Sequence, residues 1–173
     1  MVIKLLGGML VIGSATVIGY IMASKYAKRP EELRTLQAAL QMLESEIAFS
    51  MSTLPQAFDR ISHSFEHAVG KLFSYTSSLI KERTGITAKE AWIKALNACT
   101  PILHLEKQDR EILMAFGNAL GRLDKDSQIK NIHLACTKLS LEEKKAEELK
   151  YKYVRMYKSL GVLGGILIVL LLL

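Results

Sequence analysis

The sequence is poor in residues that interrupt helices. Its three prolines, Pro30, Pro55 and Pro101, fall where helices are expected to begin or break. No apolar/polar alternation is long enough to read as a strand, and there is no internal repeat or low-complexity tract. Cysteine is scarce too. Cys99 and Cys136 lie on predicted helices without C-x-x-C spacing, so they read as small apolar residues of a reduced compartment, and no disulfide is argued from them. No G-x-x-x-x-G-K-[ST] segment exists, which leaves the chain without a nucleotide-binding P-loop of its own. No Ser/His/Asp or Cys/His arrangement suggests a nucleophile. Aromatic residues interleaved with basic ones are missing from the middle of the chain, which argues against single-strand nucleic-acid binding despite a net charge of +6.

What the sequence does have is apolar length at both ends. From Leu5 to Ser24 no residue is charged, a run of about 20, enough to cross a hydrocarbon core of about 30 Å. From Ser159 to Leu173 a second uncharged run of about 15 residues is short for a full span and needs bilayer thinning or snorkelling by Lys158. The first run starts weakly basic at Lys4 and ends Ile21-Met22-Ala23-Ser24, a poor cleavage site, so it reads as a retained anchor. Lys25, Lys28, Arg29 and Arg34 follow the first run, and Lys150, Lys152, Arg155 and Lys158 precede the second. Under the positive-inside rule both flanks place the middle of the chain in the cytoplasm and both tips across the membrane. The same cations lie where anionic headgroups would be. The expected organisation is an N-terminal transmembrane anchor over 1–24, a cytoplasmic helical bundle over 25–158, and a C-terminal transmembrane segment over 159–173. Ala15, Gly19 and Ala23 share one face of the first run, and Gly161 and Gly165 form G-x-x-x-G in the second. Such small-residue faces allow close helix pairing in lipid, including pairing between copies.

The middle reads as an all-α bundle of about six helices. Leu33, Leu36, Leu40, Leu43 and Ile47 repeat in steps of three and four, predicting a helix opened by Pro30 and running to about Phe49. Pro55 opens a second, with Phe58, Ile61, Phe65 and Val69 inward, ending near Gly70. Leu72, Phe73, Tyr75 and Leu79 form a short third helix, stopped at Gly85. Thr87 and Glu90 make a capping box for a fourth, which carries Trp92, Ala95, Leu96 and Cys99. A fifth holds Leu113, Phe116 and Leu120 and ends around Gly121. The sixth runs from Ile129 through Ile132, Cys136 and Leu139 to Leu160, its apolar register broken once, at Glu143.

One segment spells a catalytic motif. His63, Glu66 and His67 form H-x-x-E-H, the inverted zinc-protease order, in which two imidazoles one helical turn apart hold the metal and the glutamate serves as base. Against that reading, Phe58, Ile61, Phe65 and Val69 take the buried side and turn both histidines outward. A third ligand would have to come from the distant Glu142, Glu143, Glu147 and Glu148. Plain surface histidines are the simpler reading, and no cofactor is expected.

Three further stretches carry a family resemblance. The first is Arg29-Pro30 with Leu33-Arg34, Leu36, Ala39-Leu40, Leu43-Glu44 and Glu46-Ile47. The second is Phe116-Gly117, Leu120-Gly121, Asp124 and Gln128, continuing through Lys130, Ile132 and Leu134. The third runs from Tyr157 through Leu160-Gly161 and Gly164-Gly165 into aliphatics. In order and spacing they resemble stage III sporulation protein AB of endospore-forming bacteria, over nearly the whole chain. One departure is Ser52-Thr53-Leu54-Pro55, where the family tends to read Thr-Pro-Leu-Pro, which affects only the stiffness of a turn. The resemblance implies a part in the complex that joins mother cell and forespore across two membranes. It also implies a cytoplasmic portion similar to the inner-membrane platform proteins of type II secretion and type IV pilus machines, working beside a secretion-type ATPase, stage III sporulation protein AA. The chain would then sit in the mother cell's outer forespore membrane, its bundle in the mother-cell cytoplasm and both termini facing the intermembrane space. It would be an adaptor and not an enzyme. Candidate contact residues are Arg29 and Arg34 after the anchor and the loop with Gly121, Asp124 and Gln128. Each has a simpler reading: topology for the arginines, a helix C-terminal stop for Gly121, a cap on the last helix for Asp124. A tethered helical scaffold without a motor partner is the remaining alternative.

Overall fold

The computed structural model describes residues 2–50, 52–82, 85–121 and 124–172; of these, the side chains of 2–12, 15, 16, 18–20, 22, 23, 25, 157, 158, 161, 162 and 164–172 lie outside the description. Six α-helices follow one another: α1 (Val2–Phe49), α2 (Leu54–Ser64), α3 (His67–Lys81), α4 (Ala88–Cys99), α5 (Lys107–Ala119) and α6 (Lys125–Leu172). Among the described residues there is no strand, as the scarcity of breakers and the three-and-four periodicity lead one to expect. The chain divides into two compact units, one of Met1–Pro30 with Lys144–Leu173, the other Glu31–Glu143. Among the described residues no helix is long and apolar enough to cross a membrane. The two expected spans fall largely on residues outside that description, as do Ala15, Gly19, Ala23, Gly161 and Gly165.

Two expected boundaries move. Pro30 does not open a helix; it lies inside α1. An internal proline removes one backbone donor and crowds the preceding turn, at about 3 kcal/mol. Complete burial of Leu33, Leu36, Leu40 and Leu43 just beyond it, each worth about 1.5–3 kcal/mol, is enough to hold the helix through it. Gly70 does not end a helix either; it lies within α3. The break falls earlier, where Phe65 is extended at φ −125° and ψ 129° and His67 takes a left-handed φ of 62°. Gly70 is what allows this turn to fold back. A Cβ there would stand 1.9 Å from the Phe65 carbonyl oxygen.

In the Glu31–Glu143 unit, α2 packs on α3, α3 on α4 and α4 on α5. Their shared core is aromatic. Trp92, fully buried, meets Phe73 edge-on at 5.4 Å and Phe116 edge-on at 5.2 Å, and stacks near Phe58 at 6.1 Å. Its indole N–H donates to the Leu113 carbonyl at 2.8 Å, so the only polar atom of the ring is satisfied where water cannot reach. Gly117 makes room for it, since a Cβ there would lie 2.2 Å from Trp92 Cδ1. The expected capping box of α4 is present, with Thr87 Oγ1 accepting from the Glu90 N–H at 3.2 Å and the Thr87 N–H donating to Glu90 Oε2 at 2.8 Å.

Candidate functional site

Within this unit polar contacts link α1 to α6, and they run antiparallel. Arg34 on α1 donates through Nε at 2.9 Å and a terminal nitrogen at 2.8 Å to Glu143 Oε1 on α6. Gln37, one turn on, donates to Glu143 Oε2 at 2.7 Å. Further along, Cys136 approaches the Gln37 carbonyl with its thiol at 3.9 Å, and His133 lies 3.1 Å from Glu44. At the end of α1 the Lys125 ammonium donates to the Ala48 carbonyl, covering one of the last open acceptors of that helix. Glu32 reaches out of this seam to the α4–α5 connection, where it accepts from the backbone N–H of His104 and pairs with its ring Nδ1 at 2.7 Å.

This seam explains the register break at Glu143. A carboxylate stands where the stripe calls for an apolar residue because both its oxygens are engaged by α1, and a partly buried charge with charge-assisted bonds to both oxygens costs far less than an unpaired one. It also places Arg34: the side chain is 63% exposed while its guanidinium is held by Glu143. Arg29, in the other unit, is buried.

The loop candidates take distinct places. Gly121 has φ 71°, the left-handed conformation expected after α5, where glycine carries little strain. Asp124 caps α6: its Oδ2 accepts from the Ser127 N–H at 3.2 Å and its carbonyl from the Gln128 N–H at 2.9 Å. Hydrogen bonds from Ser127 hold the Asp124 carboxyl below the usual aspartate value. Gln128, with Phe116, Ala119, Leu120, Asn131 and Ile132, lines a hollow too narrow to admit a water-sized sphere.

The H-x-x-E-H segment is corrected. His63 is on α2 and His67 begins α3, with the chain extended between them, so the two imidazoles are not one turn apart on a helix. His63 Nδ1 is hydrogen-bonded to the Asp59 carbonyl at 2.7 Å. His67 and Glu66 are almost fully exposed, 3.8 Å apart. Among the described residues no group of three His, Cys, Asp or Glu side chains could hold a metal ion. Both cysteines are free. Burial raises the Cys99 thiol pKa, and burial, aided by the Glu44 carboxylate, pushes Cys136 up to about 11, so both stay protonated and weakly nucleophilic near neutral pH.

In the unit of Met1–Pro30 with Lys144–Leu173, Tyr26 and Tyr153 stack at 4.9 Å, and the Lys152 ammonium lies 5.6 Å from the Tyr153 ring. Tyr151 beside them is 78% exposed. Charge pattern alone marks the basic residues here and not the tyrosines; tyrosine beside lysine at the edge of an apolar run is the signal in the sequence that marks them.

The family model for stage III sporulation protein AB matches residues 4–173. The chain is 39% identical to stage III sporulation protein AB of Bacillus subtilis (strain 168) over 170 residues, 98% of this chain and 99% of that protein. A solved structure of stage III sporulation protein AB superposes with a TM-score of 0.68 at 37% identity, over 72% of this chain and 98% of the solved one.

Proposed function

Because the chain belongs to the stage III sporulation protein AB family, we propose that it is a non-enzymatic platform subunit of the channel complex between mother cell and forespore, coupling a cytoplasmic secretion-type ATPase, stage III sporulation protein AA, to the membrane. The observation that carries this reading is the family match over nearly the whole length, both apolar ends included. In it, residues 1–24 and 159–173 are transmembrane anchors with both tips in the intermembrane space, and the bundle stands in the mother-cell cytoplasm in the manner of secretion and pilus platform proteins. Two features support the anchoring. Cations flank both apolar runs on the side of the bundle, and the Tyr26–Tyr153 stack with Lys152 has the chemistry of a headgroup layer. A bundle tied internally by Arg34, Gln37 and Glu143 suits a part that passes on load or position.

The test is titration of the full chain, in lipid nanodiscs, with the purified ATPase. Saturable binding is expected. No binding at high micromolar concentration sinks the adaptor reading in favour of a tethered scaffold. Arg34→Glu alone does not identify a contact, because it sets two carboxylates against each other inside the bundle. The exchange Arg34→Glu/Glu143→Arg restores the internal pair while reversing the exposed charge. If Arg34 touches the ATPase, the exchanged protein folds normally and binds more weakly; if it binds like the parent, Arg34 is a bundle residue only.

A further inference from the structure

The portion of α6 within the Glu31–Glu143 unit presents two contrasting sides. Its inward side buries Ile132, Ala135 and Leu139. On the opposite side, at steps of four, four and three, Lys130, Leu134, Lys138 and Leu141 form one column, and all four are exposed. Leu134 is 53% and Leu141 54% exposed, on the side where an amphipathic helix ordinarily keeps polar residues only. A single exposed leucine needs no explanation. Two leucines on one column, two turns apart and interleaved with lysines, repeat the anchor spacing by which one helix grips another.

The charge on this column has one sign. From Ser127 to Leu141 the helix contains no carboxylate; exposed Asp126 lies one turn before Lys130, and Glu142, one turn after Lys138, is buried. Among the described residues neither Lys130 nor Lys138 is paired with one, and His133 alongside is turned to Glu44 on α1. We propose that this column is the docking face for an acidic amphipathic helix of another protein, whose apolar residues cover Leu134 and Leu141 and whose carboxylates meet Lys130 and Lys138. Symmetric pairing with a second copy through the same face sets lysines against lysines, which opposes association. The column is also a single side chain wide, between exposed Thr137 and half-buried Asn131. That width suits one helix rather than a bilayer, into which a lipid-bound helix sinks a broad apolar face. The proposal stands whether or not the ATPase reading holds.

The experiment uses the full chain in zwitterionic nanodiscs and a fluorescent synthetic helical peptide of about 18 residues, long enough to hold two heptads of helix. The peptide carries leucines seven apart with glutamates on both flanks; its control carries lysines in their place. Saturable binding of the acidic peptide is expected. It should weaken at least about tenfold for the control peptide, for Lys130→Glu/Lys138→Glu and for Leu134→Ser, while thermal unfolding of these exposed-site variants stays unchanged. Equal binding of both peptides, unaltered binding by the variants, or no saturable binding overturns the proposal. So does co-flotation with added phosphatidylglycerol vesicles, without peptide binding, that Lys130→Glu/Lys138→Glu abolishes; that result assigns the column to lipid.

Discussion

The two halves of the Glu31–Glu143 unit share apolar burial and differ in the polar contacts laid over it. Helices α2 to α5 close around Trp92, Phe58, Phe73 and Phe116, with the indole N–H bonded to a backbone carbonyl and with Ser77 bonded to the Pro55 carbonyl and Lys81 to Asp59 between α3 and α2. Between α1 and α6 the polar contacts join distant side chains: Arg34 with Glu143, His133 with Glu44, and the Lys125 ammonium with the Ala48 carbonyl. Apolar packing is non-directional and tolerates exchange of side chains so long as volume is kept. A charge pair is satisfied at one register only, so the seam fixes the register of α1 against α6 within this unit even where it adds little stability.

The largest effect should come from the aromatic half. Trp92→Ala removes the hub of the core and should cost about 3–5 kcal/mol. Gly117→Ala drives a methyl group into the same ring and should cost about 1–3 kcal/mol. Urea unfolding followed by circular dichroism measures both, and a loss below about 0.5 kcal/mol for Gly117→Ala would show that the indole can move aside and that the core is looser than described.

The seam should respond less, and with a pattern of its own. Arg34→Ala should cost about 0.5–1.5 kcal/mol, the range of a net hydrogen bond. Arg34→Glu should cost more than Arg34→Ala, and the exchange with Glu143→Arg should recover most of the difference. Equal costs for Arg34→Ala and Arg34→Glu would mean that Glu143 is not held as described and that the contrast between the halves is weaker.

Acid sharpens the comparison at its smallest scale. The Arg60 guanidinium beside Glu46, with Ser52 and Ser50, holds the Glu46 carboxyl below its usual value of 4.5, and Lys81 with Ser77 does the same for Asp59. A carboxyl whose folded pKa is depressed stabilises the fold above its unfolded pKa, and that stability is lost as pH falls through the folded value. Arg60→Ala should therefore lower stability by about 0.2–1 kcal/mol at neutral pH, and the difference should shrink at acid pH as the depressed Glu46 carboxyl becomes protonated. Trp92→Ala should cost about the same at both pH values. Thermal melts of the two variants across this range test it; an Arg60 effect that persists in acid would place the contribution in packing.

Much of this architecture was legible in the residues. The helical class, the α4 capping box at Thr87 and Glu90, the stop at Gly121 and the cap at Asp124 all rest on groups within a few positions of one another, and each lies where its local chemistry puts it. Proline and glycine misled at Pro30 and Gly70. Each has the look of local punctuation, whereas α1 continues through the first and the second makes room for a backbone oxygen five residues earlier. The H-x-x-E-H spelling failed for a related reason: motif spacing means one helical turn only if the helix is unbroken, and here it breaks at Phe65.

By itself the sequence determined what depends on short-range spacing: helices in this order, their caps, the inward stripes, the uncharged ends and the family. Only the tertiary structure decided why Glu143 interrupts a stripe, that Arg34 is tied to it across 109 positions, that Trp92 needs Gly117, and that Lys130, Leu134, Lys138 and Leu141 are left uncovered. A partner one turn away is set by helix geometry. A partner on another helix is chosen by how the helices pack, and neither residue carries a mark of the other.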